Sequence, residues 1–200
     1  MSVSENYNFK KIERKLSKYL DEDRYQHTLG VMMTSACLAM AHGFEDIAKA
    51  QLAGLLHDCA KCIPNDKKLK ICKKQNISVS AIEEENPFLL HAKLGVYIAK
   101  AKYDVADADV LEAIRYHTTG RAGMSDLEKI VYIADYIEPG RYKAAHLPYI
   151  RKIAFENLDL CMYEILKDTL EYLEKSPNNI DLETKEAYLF YKSKIETIYS

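Results

Sequence analysis

The sequence predicts an all-α protein, a single-domain helical bundle. Three observations predict it. Apolar residues recur at three- and four-residue spacing along most of the chain, the period of an amphipathic helix. Glycine and proline number only 7 and 5 in 200 residues, too few for the many tight turns of a sheet-rich fold. Nothing alternates with period two for long enough to form a strand. A chain of 200 residues fits one ordinary domain and buries roughly 70% of its unfolded surface, so it needs no disulfide or structural metal to fold. No Gly/Ser/Pro linker, repeat or low-complexity tract divides it, and residues 1–200 read as one domain.

Each element has its own signal. Phe9, Ile12, Leu16, Tyr19 and Leu20 share one face of a first helix. A second runs from about Asp23 to Ala41 with Gly43 as its stop, and a third from about Glu45 to Cys62, where Pro64 ends it. Asn65 caps a short lysine-rich helix ending near Asn76. Pro87 suits the first turn of a helix reaching about Lys102, and another spans about Asp107 to His117. Ser125-Asp126-Leu127-Glu128 has capping-box spacing before the apolar run Ile130–Ile137, which stops at Pro139-Gly140. Pro148–Lys175 and about Asp181–Tyr199 read as two long helices joined by Ser176-Pro177-Asn178-Asn179; they close the bundle or form a homodimer surface.

Composition excludes several roles. With 48% apolar and 29% charged residues the chain folds rather than staying disordered. Its formal charge of −2, from 28 basic and 30 acidic side chains, provides no field for nucleic acid. The longest uncharged apolar stretch, Val31–His42, is too short to span a bilayer, and the polar start MSVSENYNFKKIERK is no secretory signal. Five cysteines, an odd number in a chain with no need of staples, read as reduced thiols and a cytoplasmic protein.

Four positions place metal-competent side chains inside apolar stretches: His27, the adjacent His57 and Asp58, and Asp135 within Ile130–Ile137. An unpaired buried carboxylate costs several kcal/mol, so Asp135 needs a strong partner or an outward direction. A divalent cation shared with imidazoles is such a partner, and this mixed nitrogen and oxygen set suits iron, manganese, zinc or magnesium. Taken singly, His27 also fits a hydrogen-bonded core histidine, His57-Asp58 a surface pair, and Asp135 a hydrogen-bonded interior acid.

The order His27, His57-Asp58, Asp135 on successive helices resembles the HD-domain superfamily of metal-dependent phosphohydrolases. Four blocks narrow the likeness: Arg24–Val31, Ala53–Lys61, Ala113–Gly120 and Lys129–Pro139 resemble the bacterial symmetrical bis(5′-nucleosyl)-tetraphosphatases. The likeness covers about Leu20 to Arg141. It implies an HD-type bundle that cuts diadenosine tetraphosphate into two ADP, with iron the expected metal and His27, His57, Asp58 and Asp135 its ligands. It also implies Arg24, Lys61, His91, His117, Thr118 and Arg141 as contacts to a small nucleotide substrate, and Asp58, Lys61 and His117 as catalytic groups. One tightly held ion is expected, with His91 and His117 facing phosphate and either one donating to the bridging oxygen. The rival readings are another HD-type phosphohydrolase, for deoxynucleotides, alarmones or cyclic nucleotides, and a nucleotide-binding regulator without turnover.

Other features have blander readings. Cys59 and Cys62 form a CxxC without a second pair or a βαβ setting, and read as small packing residues. His42 reads as a helix C-terminus residue and His146 as a loop residue. The Lys67–Lys74 run reads as a solvated face with a lesser steering role. Fifteen tyrosines offer stacking surfaces for a purine, and the sequence does not single one out.

Overall fold

A computed structural model describes residues 7–144, 146–174 and 181–199. The described residues form eleven α-helices and no strand: α1 (Phe9–Leu16), α2 (Glu22–Ala41), α3 (Ile47–Leu56), α4 (Asn65–Lys74), α5 (Ala81–Glu85), α6 (His91–Tyr103), α7 (Ala108–Tyr116), α8 (Asp126–Ile137), α9 (Leu147–Ala154), α10 (Leu158–Glu174) and α11 (Leu182–Tyr199). The all-α class is as the sequence predicts. The joining segment expected at Ser176–Asn179 lies outside the described residues.

Helix α8 lies at the centre, against α2, α3, α7, α9 and α10. Its residues Ile130, Val131, Ile133 and Ala134 are wholly buried, as an apolar run on a central helix requires. Its start is the expected capping box: the Ser125 hydroxyl accepts from the Glu128 amide, and the Glu128 carboxylate accepts from the Ser125 amide. Arg121 then pairs with that buried carboxylate through two nitrogens, at 2.7 and 2.9 Å. Helix α2 starts at Asp21, whose side chain accepts from the Arg24 amide, and stops where Gly43 takes a left-handed φ of +66°.

Three boundaries differ from the sequence expectation, and one helix is additional to it. Helix α3 ends at Leu56 rather than Cys62, and the His57 ring bonds back to the Gly54 carbonyl. The segment after Pro87 begins as a 3-10 turn, Pro87–Leu90, before α6 starts at His91. The long helix expected from Pro148 breaks near Asn157, whose side chain caps the Leu160 amide and so starts α10 afresh. Helix α5 was not expected, although Ser80 and Glu83 form a complete capping box for it. Helix α9 also secures the turn after α8, where Arg151 donates to the carbonyls of Ile137, Glu138 and Arg141 at 2.9 Å each. One continuous apolar core runs from Ile12 on α1 to Tyr191 on α11.

Candidate metal centre

The side chains singled out in the sequence come from α2, the end of α3, α6, the end of α7 and α8, and they meet in one place. Arg24 and His27 lie one turn apart at the start of α2 and therefore share a face. His57 and Asp58 follow α3, both almost fully buried. His91 opens α6 and His117 closes α7, and both are buried too. Asp135 sits in the last turn of α8.

The imidazoles are held alike. His57, His91 and His117 each turn Nδ1 to the carbonyl three residues earlier, Gly54, Phe88 and Ile114, at 2.7 Å in every case. A carbonyl accepts only, so Nδ1 carries the hydrogen and the Nε2 lone pair faces inward. His27 reaches the same state through a carboxylate, with Nδ1 3.0 Å from Glu138 Oε1. Four Nε2 lone pairs thus point toward two aspartates.

The convergence has two poles. At one, His27 Nε2 and His57 Nε2 lie 3.0 and 3.9 Å from Asp135 Oδ1. At the other, His91 Nε2 and His117 Nε2 lie 3.2 and 3.4 Å from Asp58 Oδ1, and 3.0 Å from each other. Asp58 joins the poles, because its Oδ2 is 3.5 Å from His57 Nε2 and 2.8 Å from Arg24 Nη1. Two sets of potential ligand atoms, His27–His57–Asp135 and His57–Asp58–His117, each lie within 4.8 Å of one another.

These contacts set acceptor against acceptor. His27 Nε2, His57 Nε2 and Asp58 Oδ1 are buried without a hydrogen-bond donor. Leaving such atoms unmatched costs ~1–3 kcal/mol each, and a cation between them removes the cost. The residues therefore fit a divalent metal, and the nitrogen-rich set suits a transition metal better than magnesium.

Cations ring the cluster. Lys61 Nζ is 3.1 Å from His91 Nε2 and 3.7 Å from Asp58 Oδ1. Arg141 holds Asp135 twice, through Nε to its carbonyl at 2.8 Å and through Nη2 to Oδ1 at 2.5 Å. The Thr118 hydroxyl lies 3.1 Å from His117 Nε2 and 3.2 Å from His91 Nε2. Burial opposes ionisation of Asp58, yet its polar neighbours His57, His117 and His91 outweigh burial and hold its carboxyl well below the usual carboxylate range. Asp135 is treated likewise: burial raises it, and His27, His57 and Arg141 outweigh burial. Burial pushes the His91 imidazole down to about 4, so its ring is neutral at pH 7. With Nδ1 bonded to a backbone carbonyl, His91 and His117 each turn an Nε2 acceptor inward. Lys61 and Thr118 are the donors at that pole.

Sequence reasoning missed Glu138, whose signal is an acid between an apolar helix and Pro139-Gly140. Its carboxylate is buried, accepts from His27 and also takes the Gly140 amide at 2.5 Å. A Cβ on Gly30 would lie 2.6 Å from Glu138 Oε2, so glycine there makes room for that carboxylate. The CxxC cysteines go separate ways: Cys59 is buried and bonds the Gly95 carbonyl, whereas Cys62 is exposed and bonds Asp21.

Comparison with known proteins agrees with this geometry. The HD domain family model matches residues 24–140. The chain is 39% identical over 160 residues to the symmetrical bis(5′-nucleosyl)-tetraphosphatase of Bacillus subtilis, covering 80% of this chain and 84% of that one. It is 39% identical over 173 residues to the protein of the same name from Halalkalibacterium halodurans, covering 85% and 89%. Among solved structures, a predicted HD superfamily hydrolase involved in NAD metabolism from Clostridium acetobutylicum superposes with a TM-score of 0.89 at 40% identity, covering 94% of this chain and 98% of that one.

Proposed function

The chain belongs to the HD-domain family and groups with its symmetrical bis(5′-nucleosyl)-tetraphosphatases, and from that membership we propose that it hydrolyses diadenosine tetraphosphate into two ADP. The observation that carries this reading is the set of inward imidazole lone pairs and carboxylates with no donor to satisfy them. His27, His57, Asp58 and Asp135 hold the metal. One ion is held tightly, and His91 and His117, beside the second oxygen of Asp58, face the phosphate. When bound, such a metal polarises a phosphoryl oxygen and activates the attacking water. Iron is our choice, with manganese, zinc or magnesium as alternatives.

The remaining work falls to side chains already aimed. Arg24, Lys61 and Arg141 surround the carboxylates and take phosphate oxygens, the arginines in pairs and the lysine as a point charge. They neutralise charge that grows as the bridging bond breaks. Thr118 donates its hydroxyl at the His91–His117 pole. ADP leaves as a terminal phosphate and needs little protonation. No helix among the described residues is long and apolar enough to cross a membrane. Five free cysteines support a cytoplasmic setting.

Metal analysis tests the ligand set. Protein purified without chelator should carry at least one transition-metal ion per chain, and Asp135→Ala should lose it. Full occupancy and activity in Asp135→Ala would remove the assignment.

A further inference from the structure

The turn after α8 carries two side chains that orient metal-competent groups. Glu138 holds the His27 ring, and Arg141 grips Asp135 through its carbonyl and its Oδ1. The turn needs outside help to keep its shape. Helix α8 ends at Ile137, so its last carbonyls have no partner within the helix, and Pro139 has no amide hydrogen to offer them. The Arg141 amide closes back onto the Glu138 carbonyl at 2.9 Å.

Arg151 on α9 supplies the remaining donors. Its Nε donates to the Ile137 carbonyl, and its Nη2 donates to the carbonyls of Glu138 and Arg141. One planar guanidinium thus ties both ends of the turn to a second helix. Its charge also faces the C-terminus of α8, where a cation is favoured. Helix α9 is anchored without this residue. Leu147, Ile150, Ile153 and Ala154 are buried along it, and His42 Nε2 donates to the Ala154 carbonyl at 2.7 Å.

We propose that Arg151 is a positioning residue for the metal centre: it fixes the 138–141 turn so that Glu138 meets His27 and Arg141 meets Asp135, and through these two contacts it sets how tightly the ion is held. This rests on the ligand set proposed above. Arg151 acts on both ligands at one remove. The carbonyls of Glu138 and Arg141 that it holds belong to the residues whose side chains orient His27 and Asp135. A turn released from α9 rotates both side chains, and a hydrogen bond weakens steeply as its angle closes. Helix α9 thereby takes part in a site to which it gives no ligand.

Manganese(II) titration, with the free ion counted by electron paramagnetic resonance, tests the role; manganese prefers oxygen and nitrogen ligands to the five thiols. Arg151→Ala should weaken manganese about 10-fold, the lower end of what partners of metal ligands contribute, because it stands one contact further out. Lys152→Ala, which removes an exposed cation from the same helix, should leave the affinity unchanged. Dilute guanidinium, far below unfolding concentrations, should restore much of the loss in Arg151→Ala and none of the loss in Glu138→Ala. In a Glu138→Ala background Arg151→Ala should cost less than it does alone, since one of its two routes is gone. Arg151→Lys keeps the charge without the fork and should fall between wild type and Arg151→Ala. If Arg151→Ala does not fold, Arg151→Lys carries the test.

Wild-type manganese affinity in folded Arg151→Ala, or in Arg151→Lys where that variant carries the test, would overturn the proposal. So would an equal loss in Lys152→Ala, which would mark a general charge effect, or a loss that guanidinium leaves untouched, which would mark a loosened helix. A wild-type protein that takes up no manganese would overturn the ligand set and this proposal with it. A wild type that binds manganese no better than folded Arg151→Ala overturns this proposal alone.

Discussion

Removing the carboxylate of Glu138 should loosen the metal without touching a ligand. Glu138 is 4% exposed and performs two tasks: it takes the Nδ1 hydrogen of His27 at 3.0 Å and the Gly140 amide at 2.5 Å. The first task fixes the tautomer of His27 and raises the basicity of Nε2, and losing such a partner costs ~10–100-fold in metal affinity, or ~1.4–2.7 kcal/mol. Glu138→Gln keeps the shape, but its amide can accept from only one of the two donors and must face the other with a donor of its own. It belongs near the 10-fold end. Glu138→Ala loses both contacts and belongs near the 100-fold end. Competition with a chelator of known affinity measures this, alongside a thermal melt of the metal-free proteins to show that each variant folds. Wild-type metal affinity in a folded Glu138→Ala protein would refute the argument.

Gly30→Ala should act in the same direction, because its Cβ would meet Glu138 Oε2 at 2.6 Å and displace a carboxylate held by two bonds; unchanged metal affinity would show that Glu138 moves freely. Lys61→Ala should keep its metal, since an ammonium is no ligand, but lose ~10²-fold in kcat/KM on tetraphosphate, about 2.7 kcal/mol, and unaltered kinetics would return Lys61 to the solvent face. Asp159 supports stability in a pH-dependent way. Burial raises its carboxyl, but Lys194 and Lys129, at 2.7 and 3.0 Å, outweigh burial and lower it. A depressed carboxylate contributes stability above its unfolded value of ~3.9 and loses it as pH falls through the folded value. Asp159→Asn should therefore melt below wild type at pH 7, by about 1 kcal/mol after solvent screening, and the gap should close below about pH 4. A gap that stays constant with pH would contradict the ion-pair origin.

The fold class and the course of α2 and α8 were legible because their signals are local: an apolar period, a Gly43 stop, a Ser125–Glu128 box. The break at Asn157 was harder, since its side chain competes with the helix only once α9 and α10 have separate faces to bury. Helix α5 carried a readable Ser80–Glu83 box, but its five residues are too few to show a period. At the site, sequence order marked His27, His57, Asp58 and Asp135, and likeness added Arg24, Lys61, His91, His117, Thr118 and Arg141. Their division into two poles joined by Asp58 depends on α7 packing against both α3 and α6, which no spacing encodes. The direction of each imidazole was equally hidden, because it is set by carbonyls at Gly54, Phe88 and Ile114 that only the folded backbone presents. Glu138 stayed unseen for the same reason: its partner lies 111 residues away.

Product analysis after incubating the metal-loaded protein with diadenosine tetraphosphate tests the central claim most directly. ADP is the expected sole nucleotide product, two for each substrate consumed, with Asp135→Ala inactive under the same conditions. AMP and ATP in equal amounts, or no hydrolysis with the metal fully loaded, would contradict it.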